Sequence, residues 1–137
     1  MTVKGIEHVA VAVTDLEKGI DAWTALGFRC THVETVVDQK VRVARMTIGA
    51  FCVELMVPTS PESPVAKFLE KRGPGLHHVC LETDSVDTDL AALGSAGFAL
   101  IDSEPRPGAH DCRIAFVHPK ATGGVLVELS EPPNHGD

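Results

Sequence analysis

Two histidines and two glutamates stand at matched places in this chain. The stretch GIEHVAVAV from Gly5 and the stretch GLHHVCLETD from Gly75 align at an offset of 70 residues, which sets Gly5 against Gly75, Ile6 against Leu76, His8 against His78 and Val9 against Val79. VELMVP from Val53 and VELSEP from Val127 align at an offset of 74, which sets Glu54 against Glu128. Two imidazoles and two carboxylates suit a divalent transition metal such as cobalt, manganese, nickel or zinc, with positions left for water or substrate. A lone strand histidine is more often a hydrogen-bonded core residue, and a lone strand glutamate commonly faces water. It is the repetition of both residue types at equivalent positions that points to a site. His77 lies on the opposite strand face from His78 by period-two alternation, and Glu7 stands at its counterpart, so it reads as a supporting or structural residue. His32, His110, His118 and His135 have no repeat partner and read as solvated or structural.

The elements that must position these four residues follow from the repeat. The offset of 70 also carries Gly27-Phe28 onto Gly97-Phe98, with a helix-like segment before each, which marks a duplicated unit. The spacing predicts a strand from Gly5 to Val13. A helix capped by Thr14 or Asp15 follows, with Leu16, Ile20, Trp23 and Leu26 on one side and Gly27 at its end. Strands are expected at Phe28–Val37, Val41–Ile48 and Phe51–Val57, so the first unit reads βαβββ. The connector 59–74 holds a short helix, with Ser63 as cap and Pro64 in the first helical position. Its Lys67, Lys71 and Arg72 form a small basic cluster that reads first as a solvated face and second as a phosphate contact. In the second unit a strand is expected at Leu76–Thr83 and a helix at Asp84–Ala96. A short strand at Phe98–Ile101, a loop at Asp102–Asp111, strands at Cys112–His118 and Gly124–Leu129, and a frayed tail from Glu131 complete the reading. If the halves pack about a pseudo-twofold axis, His8, Glu54, His78 and Glu128 meet in one cleft.

Composition bounds what such a site serves. At 137 residues the chain is one ordinary domain, whereas each half alone would be marginal. A formal charge of -7 speaks against nucleic acid as the main partner, because phosphate binding needs a basic face. Cys30, Cys52, Cys80 and Cys112 form no CxxC pair; Cys30, Cys52 and Cys80 sit in strand-like apolar runs and read as small buried hydrophobes ahead of zinc or a disulfide framework, so a reduced cytoplasmic protein is expected. No apolar stretch approaches the length of a membrane span.

The motifs IEHVAVAV, DQKVRVA, VELMVPTSPESPVAKFLEKRG, GLHHVCLE and IAFVHPKATGGVLVEL identify a family. On these the chain resembles the vicinal oxygen chelate (glyoxalase/bleomycin resistance) superfamily and, within it, the methylmalonyl-CoA epimerases, from near its start to about Glu131. The first motif is common across the superfamily; the Ser-Pro-rich connector and the HPK segment before GGVLVEL are specific to the epimerases. The resemblance implies an α+β fold of paired βαβββ modules, about 5–58 and 75–131, joined by the connector. They form an open, U-shaped mixed β-sheet around a metal site, with helices outside, as a single domain over 1–137. It implies His8, Glu54, His78 and Glu128 as metal ligands, Co2+ foremost with Mn2+, Ni2+ or Zn2+ as alternatives. It also implies a small acyl-CoA substrate, a homodimer, and inversion at C2 through a metal-stabilised enolate. Some relatives carry a third-strand Glu proposed as one of two acid/base groups; Val43 occupies that position here, leaving Glu128 as the candidate on one face and the other face unassigned. Lys120 and the connector cations are candidates for the CoA phosphates.

Three other readings compete. A glyoxalase-type isomerase (lactoylglutathione lyase) uses four protein ligands on a glutathione adduct. An extradiol dioxygenase uses two His and one carboxylate with more open positions, which Glu54 would crowd. A non-catalytic binding protein of the same superfamily typically lacks the ligand set that this chain carries.

Overall fold

The computed structural model describes residues 1–133; His135 lies outside them. It is an α+β fold of three α-helices and eight strands, arranged βαβββ in each half with a helix between. The chain divides into two compact units, one of residues His8–His77 and one that joins Met1–Glu7 to the chain from His78 onward. The boundaries fall inside β1 (Val3–Ala12) and β5 (Gly75–Thr83), each immediately before a matched histidine.

In the unit His8–His77 the strand order is β2-β3-β4-β1, with β2 (Arg29–Val36), β3 (Val41–Ile48) and β4 (Phe51–Pro58) antiparallel and β4 parallel to β1. Helix α1 (Leu16–Ala25) starts where the Asp15 carboxylate accepts the Lys18 N–H at 3.0 Å, a cap worth about 1 kcal/mol. Leu16, Ile20 and Trp23 then recur on one side and pack on Ala44, Met46 and Leu55, which are fully buried on one sheet face. Gly19 permits that approach: a Cβ there would stand 3.2 Å from Leu55 Cδ1. Ser63 caps α2 (Pro64–Arg72) through Val65 N, and α2 packs on β4.

In the other unit the order is β5-β8-β7-β6, with β8 (Val127–Glu131) parallel to β5 and antiparallel to β7 (Arg113–Val117). Helix α3 (Val86–Ser95), capped by Ser85, buries Val86 and Leu90 against Ala115, Val117 and Leu129. Several boundaries differ from the sequence expectation. The strand expected at Phe98–Ile101 reduces to one bridge, Leu100 to Val117. The N–H groups of Ile101 and Asp102 both turn to the Phe116 carbonyl while the Asp102 carboxylate takes the Phe116 N–H, so no ladder continues. The paired strand is instead β6 (Arg106–Pro107), inside the expected loop. Strand β8 begins three residues late, after Gly123 and Gly124 at φ 74° and 96°. It runs on through Glu131, which had been assigned to the tail; its Oε1 accepts the Val86 N–H at 3.0 Å.

A polar network ties the start of the chain into the same unit. The Asp89 carboxylate, fully buried, accepts the Thr2 N–H at 2.6 Å, the Thr2 hydroxyl and the Thr83 hydroxyl, and Asp84 N donates to the Thr2 carbonyl. No helix among the described residues is long and apolar enough to cross a membrane.

Candidate functional site

Each half places one buried His–Glu pair on the same two strands. On β1 the even residues His8, Ala10 and Ala12 are buried, and the parallel register sets Ala10 beside Glu54 on β4. His8 Nε2 lies 3.4 Å from Glu54 Oε1, with the two residues 6% and 4% exposed. On β5 the register sets Cys80 beside Glu128 on β8, and His78 Nε2 lies 3.2 Å from Glu128 Oε1, with residues 5% and 6% exposed. Ala10 and Cys80 are 70 residues apart and Glu54 and Glu128 are 74 apart, so the strand registers reproduce both sequence offsets.

Burying a carboxylate this completely is costly unless it is paired. Two donors each about 2.1 Å from one cation at cis angles stand about 3.0–3.4 Å apart, and both pairs have that spacing. The donor set, imidazole nitrogen with carboxylate oxygen, is that of a divalent transition metal. The residues present therefore fit a metal.

What surrounds the two glutamates differs. Across the ladder from Glu54 stands Arg45, whose Nη1 donates to Glu54 Oε2 at 3.0 Å. Across from Glu128 stands Phe116, whose ring meets the His78 imidazole edge-on at 5.5 Å between centroids. The sequence reading missed both neighbours. A signal for Arg45 was present: a hairpin closing at Gly49–Ala50 pairs Ile48 with Phe51 and, counting back, Arg45 with Glu54. Val43 is buried on β3 between Glu34 on β2 and Met56 on β4.

The remaining histidines hold other places. His77 packs edge-on against Phe68 of α2 at 4.9 Å. His32 is exposed, with Nε2 3.2 Å from Glu34. His110 adopts φ 58° within a short 3₁₀ turn, and His118 caps the next one, its Nδ1 accepting the Lys120 N–H. Lys120 lines a surface hollow of about 430 Å³ with Gly97, Phe98 and Ala121. Lys67, Lys71 and Arg72 are exposed on α2, Arg72 over the Phe68 ring. Cys52 and Cys80 are buried, and Cys30 and Cys112 are half-buried.

Residues 7–116 match the model of the glyoxalase/bleomycin resistance protein/dioxygenase superfamily. The mitochondrial methylmalonyl-CoA epimerase of Mus musculus is 37% identical over 128 residues, covering 92% of this chain and 72% of that protein. The crystal structure of methylmalonyl-CoA epimerase from Mycobacterium tuberculosis superposes with a TM-score of 0.93 at 38% identity, covering 97% of this chain and 91% of that one. A methylmalonyl-CoA epimerase in complex with methylmalonyl-CoA and NH4+ superposes with a TM-score of 0.91 at 36% identity, covering 96% of both chains.

Proposed function

Since the chain belongs to the glyoxalase/bleomycin resistance protein/dioxygenase superfamily, among its methylmalonyl-CoA epimerases, we propose that it epimerises methylmalonyl-CoA at C2. The observation that carries this reading is the doubled His–Glu pair, buried in both halves at metal-donor spacing. It is supported by identity above one third to epimerases over nearly the whole chain. The proposed metal ligands are His8, Glu54, His78 and Glu128, with Co2+ the proposed ion ahead of Mn2+, Ni2+ or Zn2+. A divalent cation, when bound, supplies the positive charge that stabilises an enolate.

The protein's own groups have two tasks. C2 of methylmalonyl-CoA lies between a thioester and a carboxylate, so its proton is acidic enough for a positioned carboxylate to remove, and inversion requires a proton returned on the other face. Glu128 is the proposed carrier on one face. Arg45, hydrogen-bonded to Glu54, holds that carboxylate in one orientation. All four residues are below a tenth exposed, so charge developing beside them is poorly screened by solvent. We further propose that the chain acts as one domain of two modules, 5–58 and 75–131, joined by 59–74. A small acyl-CoA is its substrate, as a cytoplasmic homodimer.

The test is exchange of the C2 hydrogen of methylmalonyl-CoA in deuterated water, run with cobalt-loaded protein, metal-stripped protein and no protein. Fast exchange that requires the metal is expected. Exchange no faster than the protein-free control would overturn the epimerase reading and make a glutathione-adduct isomerase the next one to assay.

A further inference from the structure

The two halves place a charged side chain at the same point of the fold, with opposite signs. Glu34 on β2 stands across the ladder from Val43, and Arg106 on β6 stands across from Ile114. Val43 and Ile114 correspond, because each lies two residues before the strand partner of its half's glutamate. Cross-strand partners direct their side chains to one face. Arg106, Ile114, Phe116 and Glu128 therefore share the face on which His78 meets Glu128.

The Arg106 guanidinium is flanked by an aromatic ring and a carboxylate. Its carbon lies 5.3 Å from the centroid of the Phe116 ring, the ring that touches His78. Asp102 Oδ2 stands 3.3 Å from Arg106 Nε, and the same oxygen accepts the Phe116 backbone N–H at 2.8 Å, so one carboxylate links the arginine to the β7 backbone. Gly108 lets this corner close on β7: a Cβ there would stand 2.6 Å from Ile114 Cγ2. With 33% of its side chain exposed, Arg106 is a half-buried, oriented cation one aromatic ring away from the His78–Glu128 pair. A planar guanidinium engages a carboxylate through two parallel N–H bonds, which an ammonium does not reproduce.

We propose that Arg106 is the specificity-determining residue that reads the free carboxylate of the acyl group, so that the site selects 2-carboxyacyl thioesters over simple acyl thioesters of the same shape. The inference rests on the acyl-CoA epimerase reading and deepens it. A substrate carboxylate entering this face loses water, and a fixed cation offsets that loss. The same cation opposes the negative charge that accumulates on the acyl group when C2 loses its proton.

The experiment compares dissociation constants of methylmalonyl-CoA and of isobutyryl-CoA, in which a methyl replaces the carboxylate, for the wild-type protein, Arg106→Met and Arg106→Lys. Wild type should prefer methylmalonyl-CoA. Arg106→Met should weaken methylmalonyl-CoA by roughly 10- to 100-fold while isobutyryl-CoA stays within about twofold, with Arg106→Lys between. Equal weakening of both thioesters, or an unchanged preference, overturns the inference. Wild-type protein that exchanges the C2 hydrogen while Arg106→Met discriminates as before removes this inference alone. Wild-type protein that neither binds methylmalonyl-CoA nor exchanges its hydrogen removes the proposed function with it.

Discussion

Both halves of the molecule carry a buried histidine on the first strand and a buried glutamate on the fourth, yet the side chains across the ladder from the two glutamates differ. Beside Glu54 lies Arg45, which donates to it; beside Glu128 lies Phe116, which touches the histidine instead. One strand further out the first half presents Glu34 and the second Arg106. Behind the sheet the contrast recurs: the helix of the first half meets its strands through Gly19, Val13 and Leu55, whereas the equivalent places Asp89 and Thr83 form a buried polar network with Thr2. The donor pairs are matched in the two halves, as are Val9 with Val79 and Leu55 with Leu129, while the residues across the ladder from the two glutamates are not.

Five substitutions test that contrast. The largest effect is expected for His8→Ala and His78→Ala, each of which should lose bound metal and lower activity by about 10³-fold or more while circular dichroism stays native. If one of them keeps full activity, the pairs are not equivalent and the doubled site is wrong as drawn. Next, Asp89→Ala strips the acceptor from the Thr2 N–H and from two hydroxyls in the second half, and should cost about 2–3 kcal/mol of stability. Thermal unfolding reads this directly, and an unchanged midpoint would mean that the network is not needed to hold the unit. The smallest effect is expected for Arg45→Met, with metal affinity falling roughly tenfold because Glu54 loses its orienting donor. Phe116→Leu at the equivalent place, which removes no hydrogen bond to a ligand, should change affinity less. A larger loss for Phe116→Leu, measured by metal titration, would reverse the assignment of roles.

The βαβββ order, the helix caps at Asp15 and Ser63, and the placing of one His on the first strand and one Glu on the fourth strand of each half were legible in the chain because each depends on local chemistry or on the repeat. The pairing β6–β7 was not legible, because Arg106–Pro107 carries no strand propensity and is held by its partner strand and by Gly108. Strand β8 was placed too early and stopped too soon because Val125 and Leu126 look like strand residues, and because Glu131 precedes two prolines. What decides those ends is the glycine conformation at 123 and 124 and the acceptor that Glu131 offers to the first N–H of α3. Phe116 became visible only with the register, since no sequence offset marks two unlike residues as counterparts, whereas Arg45 follows from counting back from the Gly49–Ala50 hairpin.

The clasp of Thr2 on Asp89 also sets a timetable for folding during synthesis. Thr2 has its partners 81 and 87 positions later in the chain. At about 5–20 residues per second the segment Met1–Glu7 waits roughly 4 to 17 s for them, while much of the unit His8–His77 has already been made. The nascent chain therefore carries a half-strand with open backbone groups until its second half emerges. A slow codon stretch before Asp89 would lengthen that exposure, and a fast one would shorten it.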